Sequence, residues 1–129
     1  MNISRTGVIL NTENYHECVD FYKKVFDLKT MFQKVEGDFS LTCLEFGTSY
    51  LMIETGGFAC AGGKSVSQNA TKLRFNVADI NSAQEKLTAL GIDAEITRSD
   101  WGSTINLFDP DGNRIGIRDE AGFVNQVKD

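Results

Sequence analysis

Few side chains in this chain are equipped for chemistry, and their types argue first against metal and thiol catalysis. His16 is the only histidine, and Cys18, Cys43 and Cys60 stand at no metal-binding spacing. A divalent transition metal normally takes three or more protein donors, with imidazole favoured. Neither Cys43 nor Cys60 has a histidine to pair with, so an activated thiol is not expected. Asp109-x-Asp111-x-Asn113 followed by Glu120 imitates a calcium loop, but the sixth place, which needs glycine for the bend, is Arg114. The run from Gly57 to Gly62-Gly63-Lys64-Ser65 approaches a phosphate loop, yet its glycine spacing is one residue too long and no amphipathic helix follows. What remains is a carboxylate, Glu54, and a set of cations, Lys72, Arg74, Arg114 and Arg118, all in strand-like segments.

Two repeats of one pattern position these residues. The first opens with the apolar run Val8-Ile9-Leu10, then Asn14-Tyr15-His16-Glu17, which reads as a capping box starting a helix. Cys18, Phe21, Tyr22, Val25 and Phe26 follow as one helical stripe. Strands are predicted over 30–35, 40–46 and 50–54, with turns at Glu36-Gly37-Asp38 and Gly47-Thr48. The second repeat has a strand over 73–77, then a helix capped by Asp79 or Asn81 and carrying Ile80, Ala83, Leu87 and Leu90, closed by Gly91. Strands over 92–97, 103–108 and 113–118 complete it. Both halves therefore read β-α-β-β-β, with Gly7 to Lys72 offset by 65 residues and Glu54 to Gly116 by 62. The boundaries expected are modules 3–54 and 71–119 within one domain, joined by a Gly/Ala/Ser-rich linker, 55–70.

Strand alternation assigns faces. If Leu73, Phe75 and Val77 pack on a helix, then Lys72, Arg74 and Asn76 face away from it. By the same rule Tyr50, Met52 and Glu54 share one face of the fourth strand, and Arg114, Gly116 and Arg118 one face of the last. The first strand contributes Gly7, Ile9 and Asn11. Trp101, the only tryptophan, precedes a strand beside Gly102 in a turn.

The composition supports a small globular protein: 129 residues, 41% hydrophobic and 24% charged. A formal charge of −5 disfavours nucleic acid and anionic membranes as partners. No apolar run is long enough for a membrane helix, and Met-Asn-Ile-Ser-Arg lacks the apolar core of a secretory signal, so the expected compartment is the cytoplasm.

The hairpin Asn106-Leu107-Phe108-Asp109-Pro110-Asp111-Gly112-Asn113-Arg114-Ile115-Gly116-Ile117, the Trp101-Gly102 before it, and Asp20-Phe21-Tyr22 with Val25-Phe26-Asp27-Leu28 resemble the vicinal oxygen chelate superfamily of glyoxalases, bleomycin resistance proteins and extradiol dioxygenases. The resemblance implies an α+β fold of two βαβββ modules, with the sheets forming a cup and the helices outside. It also implies four metal-ligand positions, which fall here on Gly7, Glu54, Lys72 and Gly116. Only Glu54 among them suits a cation such as zinc or nickel.

The expectation is therefore a metal-free and cofactor-free binding protein of the bleomycin-resistance type, with no catalytic residue assigned. It would hold a neutral or anionic small organic molecule against Glu54, Lys72, Arg74, Met52, Tyr50, Trp101, Asn106 and Arg118, with Glu54 as counter-ion to Lys72. The alternative is a glyoxalase- or dioxygenase-like enzyme, a lyase, isomerase or oxidoreductase, with an unmapped metal site or with Lys72 and Glu54 as acid and base. A homodimer is expected, because each module leaves one sheet face uncovered.

Overall fold

A computed structural model describes residues 1–128 and divides the chain into two compact units, Met1–Ala61 and Gly62–Asp129. The first unit runs β1 (Gly7–Thr12), α1 (Tyr15–Phe26), β2 (Thr30–Glu36), β3 (Phe39–Phe46) and β4 (Ser49–Thr55). Its four strands lie in the order β1-β4-β3-β2, with β1 parallel to β4 and the other pairs antiparallel. The two hairpins turn through Gly37 and Gly47, whose φ values of 58° and 60° are available to glycine at little steric cost.

One sheet face packs on α1. Thr42, Leu44, Leu51 and Ile53 are buried there with Cys18, Val19, Tyr22 and Val25 of the helix, and the Tyr15 hydroxyl bonds Thr42 Oγ1. The helical stripe read from sequence is thus rotated slightly, with Val19 inside and Phe21 and Phe26 half-buried. The capping box does not form. Asn14, at φ −96° and ψ 67°, lies outside the extended conformation that aims a cap side chain at the first turn, and its side chain makes no cap bond, while its main-chain oxygen accepts the Cys18 N–H.

The second unit repeats the order as β5 (Leu73–Val77), α2 (Ile80–Ala89), β6 (Ile96–Ser99), β7 (Gly102–Phe108) and β8 (Arg114–Asp119), then adds α3 (Glu120–Lys128). Its sheet, β5-β8-β7-β6, has the first unit's topology, with β5 parallel to β8. Leu73, Phe75, Ile105, Leu107, Ile115 and Ile117 form its core with Ile80 and Leu87 of α2. Asp79 is the N-cap, accepting from the Asn81 and Ser82 N–H groups. At the other end Gly91, with φ 79°, completes a Schellman motif in which Ile92 N–H donates to Leu87 O and Gly91 N–H to Thr88 O.

Two elements differ from the sequence expectation. The strand predicted over 92–97 pairs only from Ile96, because Gln84 Nε2 of α2 takes the Ala94 carbonyl and draws that segment off the ladder. The helix α3 lies beyond the last strand read from sequence.

Candidate functional site

The sheet face of the second unit away from α2 collects the cations. Across it run paired residues Arg74, Gly116 and Asn106, from β5, β8 and β7. Gly116 has no side chain, and two neighbours use the space. The point a Cβ would occupy is 3.0 Å from Arg74 Nε and 3.1 Å from Lys72 Cε. Lys72 Nζ donates to Asn106 Oδ1 at 2.6 Å. Arg114 lies beside them, pinned where its Nε and Nη2 donate to the Asn69 carbonyl at 3.2 and 3.0 Å. Among the described residues Lys72, Arg74 and Arg114 make no ion pair. Burial, then the positive charges of Arg74 and Arg114, hold the Lys72 amine below its ordinary range. Two cationic side chains and an amide thus converge over a strand position that has no side chain of its own.

The rest of that face is covered by α3. Arg118, on the same side of β8 as Gly116, is 5% exposed. Its Nη2 donates to the Trp101 carbonyl and its Nη1 to Gln126 Oε1, both at 2.7 Å. The guanidinium also lies 4.9 Å from the Trp101 ring centroid and 5.5 Å from that of Phe123. Its Nε is buried without a hydrogen-bond partner. Asn76, next along β5, donates to Glu120 of α3. Arg118 and Asn76 are thus bound to α3 and to the turn before β7, whereas Lys72, Arg74 and Asn106 stay open. Trp101 is 42% exposed at that turn.

The signal for α3 was in the sequence. Asp119 precedes Glu120-Ala121-Gly122-Phe123-Val124, and its Oδ2 accepts the Gly122 N–H as an N-cap would. Its Oδ1 accepts the Ser103 N–H at 2.7 Å, the main cause of its depressed pKa, so one carboxylate ties the helix start to β7.

In the first unit the face away from α1 is mostly apolar. Ile9, Met52, Cys43 and Phe32 pair in one row across the four strands. Gly7 is needed there because the Tyr50 ring lies over it: a Cβ would stand 2.2 Å from the ring. Tyr50, Met52 and Glu54 are half-buried, and the Glu54 carboxylate makes no hydrogen bond or ion pair among the described residues. Glu54 and Lys72 belong to different units, and the partner Lys72 has in its own unit is Asn106.

Strand register revises one equivalence drawn from the repeat. Arg74, two residues after Lys72, pairs with Gly116, and Ile9, two residues after Gly7, pairs with Met52. Met52 is therefore the counterpart of Gly116. Glu54 pairs with Asn11 and matches Arg118, which pairs with Asn76. The ligand-like positions then carry Gly7, Met52, Lys72 and Gly116, a set that does not fit a divalent transition metal, since it offers two absent side chains, an ammonium and a thioether. Among the described residues no group of three His, Cys, Asp or Glu is placed to hold a metal ion.

The other sequence motifs are occupied structurally. Asp109, Asp111 and Asn113 are buried in the β7–β8 turn, where Asp109 accepts from Asp111 N, Asn113 N and Asn113 Nδ2. Lys64 Nζ donates to Asn113 Oδ1 at 2.8 Å, which fastens the glycine-rich segment to the turn. Burial pushes the Cys43 thiol pKa up, away from nucleophilic use.

A sequence profile of the Glyoxalase/Bleomycin resistance protein/Dioxygenase superfamily matches residues 3–117. No curated protein sequence matches the chain. Among solved structures, the chain is similar to SMU.1112c (19% identity, TM-score 0.74, covering 92% of this chain and 99% of that one). It is similar to lactoylglutathione lyase from Agrobacterium tumefaciens at 19% identity and TM-score 0.70, covering 93% and 96%. The fosfomycin resistance protein FosX from Listeria monocytogenes, complexed with Mn(II) and sulfate, aligns at 12% identity and TM-score 0.72, covering 92% and 93%. At these identities the likeness establishes the shared fold.

Proposed function

Because the chain belongs to the Glyoxalase/Bleomycin resistance protein/Dioxygenase superfamily, we propose that it uses the sheet faces of that fold to bind a small organic anion without a metal ion. The observation that carries this reading is the convergence of Lys72 and Arg74 over Gly116, with no carboxylate among the described residues to neutralise them. Arg74 and Lys72 supply charge, and Asn106 orients the ammonium. Trp101 stands at the rim, and Arg118 supports it through the Trp101 carbonyl. The net charge of −5 does not oppose this, since the lining decides for a ligand held out of water.

Isothermal titration with phenyllactate, a carboxylate on an apolar ring, tests the reading. Saturable binding that is lost in Lys72→Met, with the fold unchanged by circular dichroism, is expected; equal binding by the variant would refute it. The second reading, a metal-dependent enzyme, draws on the Mn(II)-bound FosX and the lyase named above. Stoichiometric metal retained through dialysis would select it.

The functional form is a homodimer under this proposal. Every residue of β2, an edge strand, is exposed, including Phe32 and Val35, and Ile9 and Phe39 in the same unit are exposed as well. So many exposed large apolar residues suit burial by a second copy. A concentration-independent monomer in sedimentation at micromolar protein would oppose this. Cytoplasmic residence fits the three free cysteines, and no helix among the described residues is long and apolar enough to cross a membrane.

A further inference from the structure

We propose that Lys72 is a covalent site, its amine condensing with the ketone of a 2-oxo acid whose carboxylate is held by Arg74. The inference rests on the anion-binding reading and extends it from recognition to chemistry. Lys72 Cε and Arg74 Nε both lie about 3 Å from one point above Gly116. A 2-oxo acid has its reactive carbon bonded directly to its carboxylate carbon. An acid paired with the Arg74 guanidinium therefore has its carbonyl on the side of the neighbouring lysine amine.

Three further features serve the reaction. Asn106 Oδ1 accepts from Lys72 Nζ, which fixes the amine without supplying a carboxylate that would stabilise its protonated form. Burial and the adjacent Arg74 and Arg114 charges lower the lysine pKa, so more of it is the neutral nucleophile at a given pH. The missing Gly116 side chain lets Lys72 and Arg74 lie together over the strand, next to each other and within reach of solvent. Two other lysines are engaged elsewhere: Lys64 is buried against Asn113, and Lys34 pairs with Glu36 at 3.1 Å.

The step balances without a further reactant. The neutral amine's lone pair forms a C–N bond at the ketone carbon, and the C=O π pair moves to oxygen. Proton transfer from nitrogen to that oxygen gives the carbinolamine, and loss of water leaves the imine. Solvent reaches the half-exposed Lys72 to carry these protons.

The test uses the full chain with phenylpyruvate and cyanoborohydride at neutral pH, followed by intact mass and peptide mapping. One equivalent of reduced adduct on Lys72, formed ahead of every other lysine, is expected. Lys72→Arg should form no adduct at position 72, and Arg74→Gln should slow the labelling of Lys72. Phenyllactate, which has no ketone, separates the two ideas. Phenyllactate binding with no adduct, or with adduct spread evenly over the lysines, overturns the covalent proposal and leaves the anion-binding reading standing. Absence of both overturns both.

Discussion

Arg118→Met should release the C-terminal helix while leaving the sheet folded. Methionine keeps much of the side-chain volume but removes two hydrogen bonds of 2.7 Å and the stacked cation between Trp101 and Phe123. Hydrogen bonds to a charged donor contribute about 1.5–3 kcal/mol each, and a partly desolvated cation–π contact about 0.5–2 kcal/mol. Against this, the wild type carries the cost of a buried, unpartnered Nε, about 1–3 kcal/mol, which methionine removes. At the midpoints of these ranges the net loss in α3 docking is about 3.8 kcal/mol, or roughly 500-fold in the local opening equilibrium at 1.4 kcal/mol per decade. Besides Arg118, the helix is held at its first turn by the Asp119 cap and the Asn76–Glu120 bond. It buries none of its residues, and a helix of nine residues is marginal by itself. Hydrogen exchange should therefore show the amides of 124–128 losing their protection by that factor, while those of β7 and β8 change little. Gln126→Ala, which removes one of the two bonds, should give a smaller loss in the same amides. Unchanged protection of α3 in Arg118→Met would refute the assignment of Arg118 as its anchor.

Gly116→Ala should leave stability within about 1 kcal/mol, since its φ is not left-handed and alanine is tolerated in a strand. The new methyl must nevertheless displace Arg74 and Lys72, so phenyllactate binding should weaken by about tenfold or more in titration calorimetry, the loss of about one charged hydrogen bond. For pH, binding needs the Lys72 ammonium, so affinity should fall as pH rises through its lowered pKa, at a pH below the ordinary lysine value of 10.5, and the step should be missing in Lys72→Met. Asp119 has the opposite sign: its folded-state pKa is depressed, so its contribution is present above the unfolded value and lost as acid brings the pH down through the folded one. Asp119→Asn should flatten that acid limb in denaturant titrations.

The two βαβββ repeats and the sheet faces were legible in the sequence. These follow from local rules: period-two alternation in strands, glycine in two-residue hairpin turns, and an Asp N-cap on α2. The sequence also placed Lys72, Arg74, Asn106 and Gly116 on one face, because alternation along β5, β7 and β8 fixes which way each side chain points. Tertiary structure decided what alternation cannot carry. Pairing register made Met52, not Glu54, the counterpart of Gly116, since an offset counted along the chain does not see which residues lie opposite across a parallel pair. The Ala94 carbonyl went to Gln84 and shortened β6, a contact between residues whose adjacency exists only once α2 has packed. Arg118 shares a strand face with Gly116, yet the fold covers them differently, with α3 over Arg118 and the Lys72 and Arg74 side chains over Gly116. That division depends on where a nine-residue helix docks, which its own weak apolar pattern does not specify.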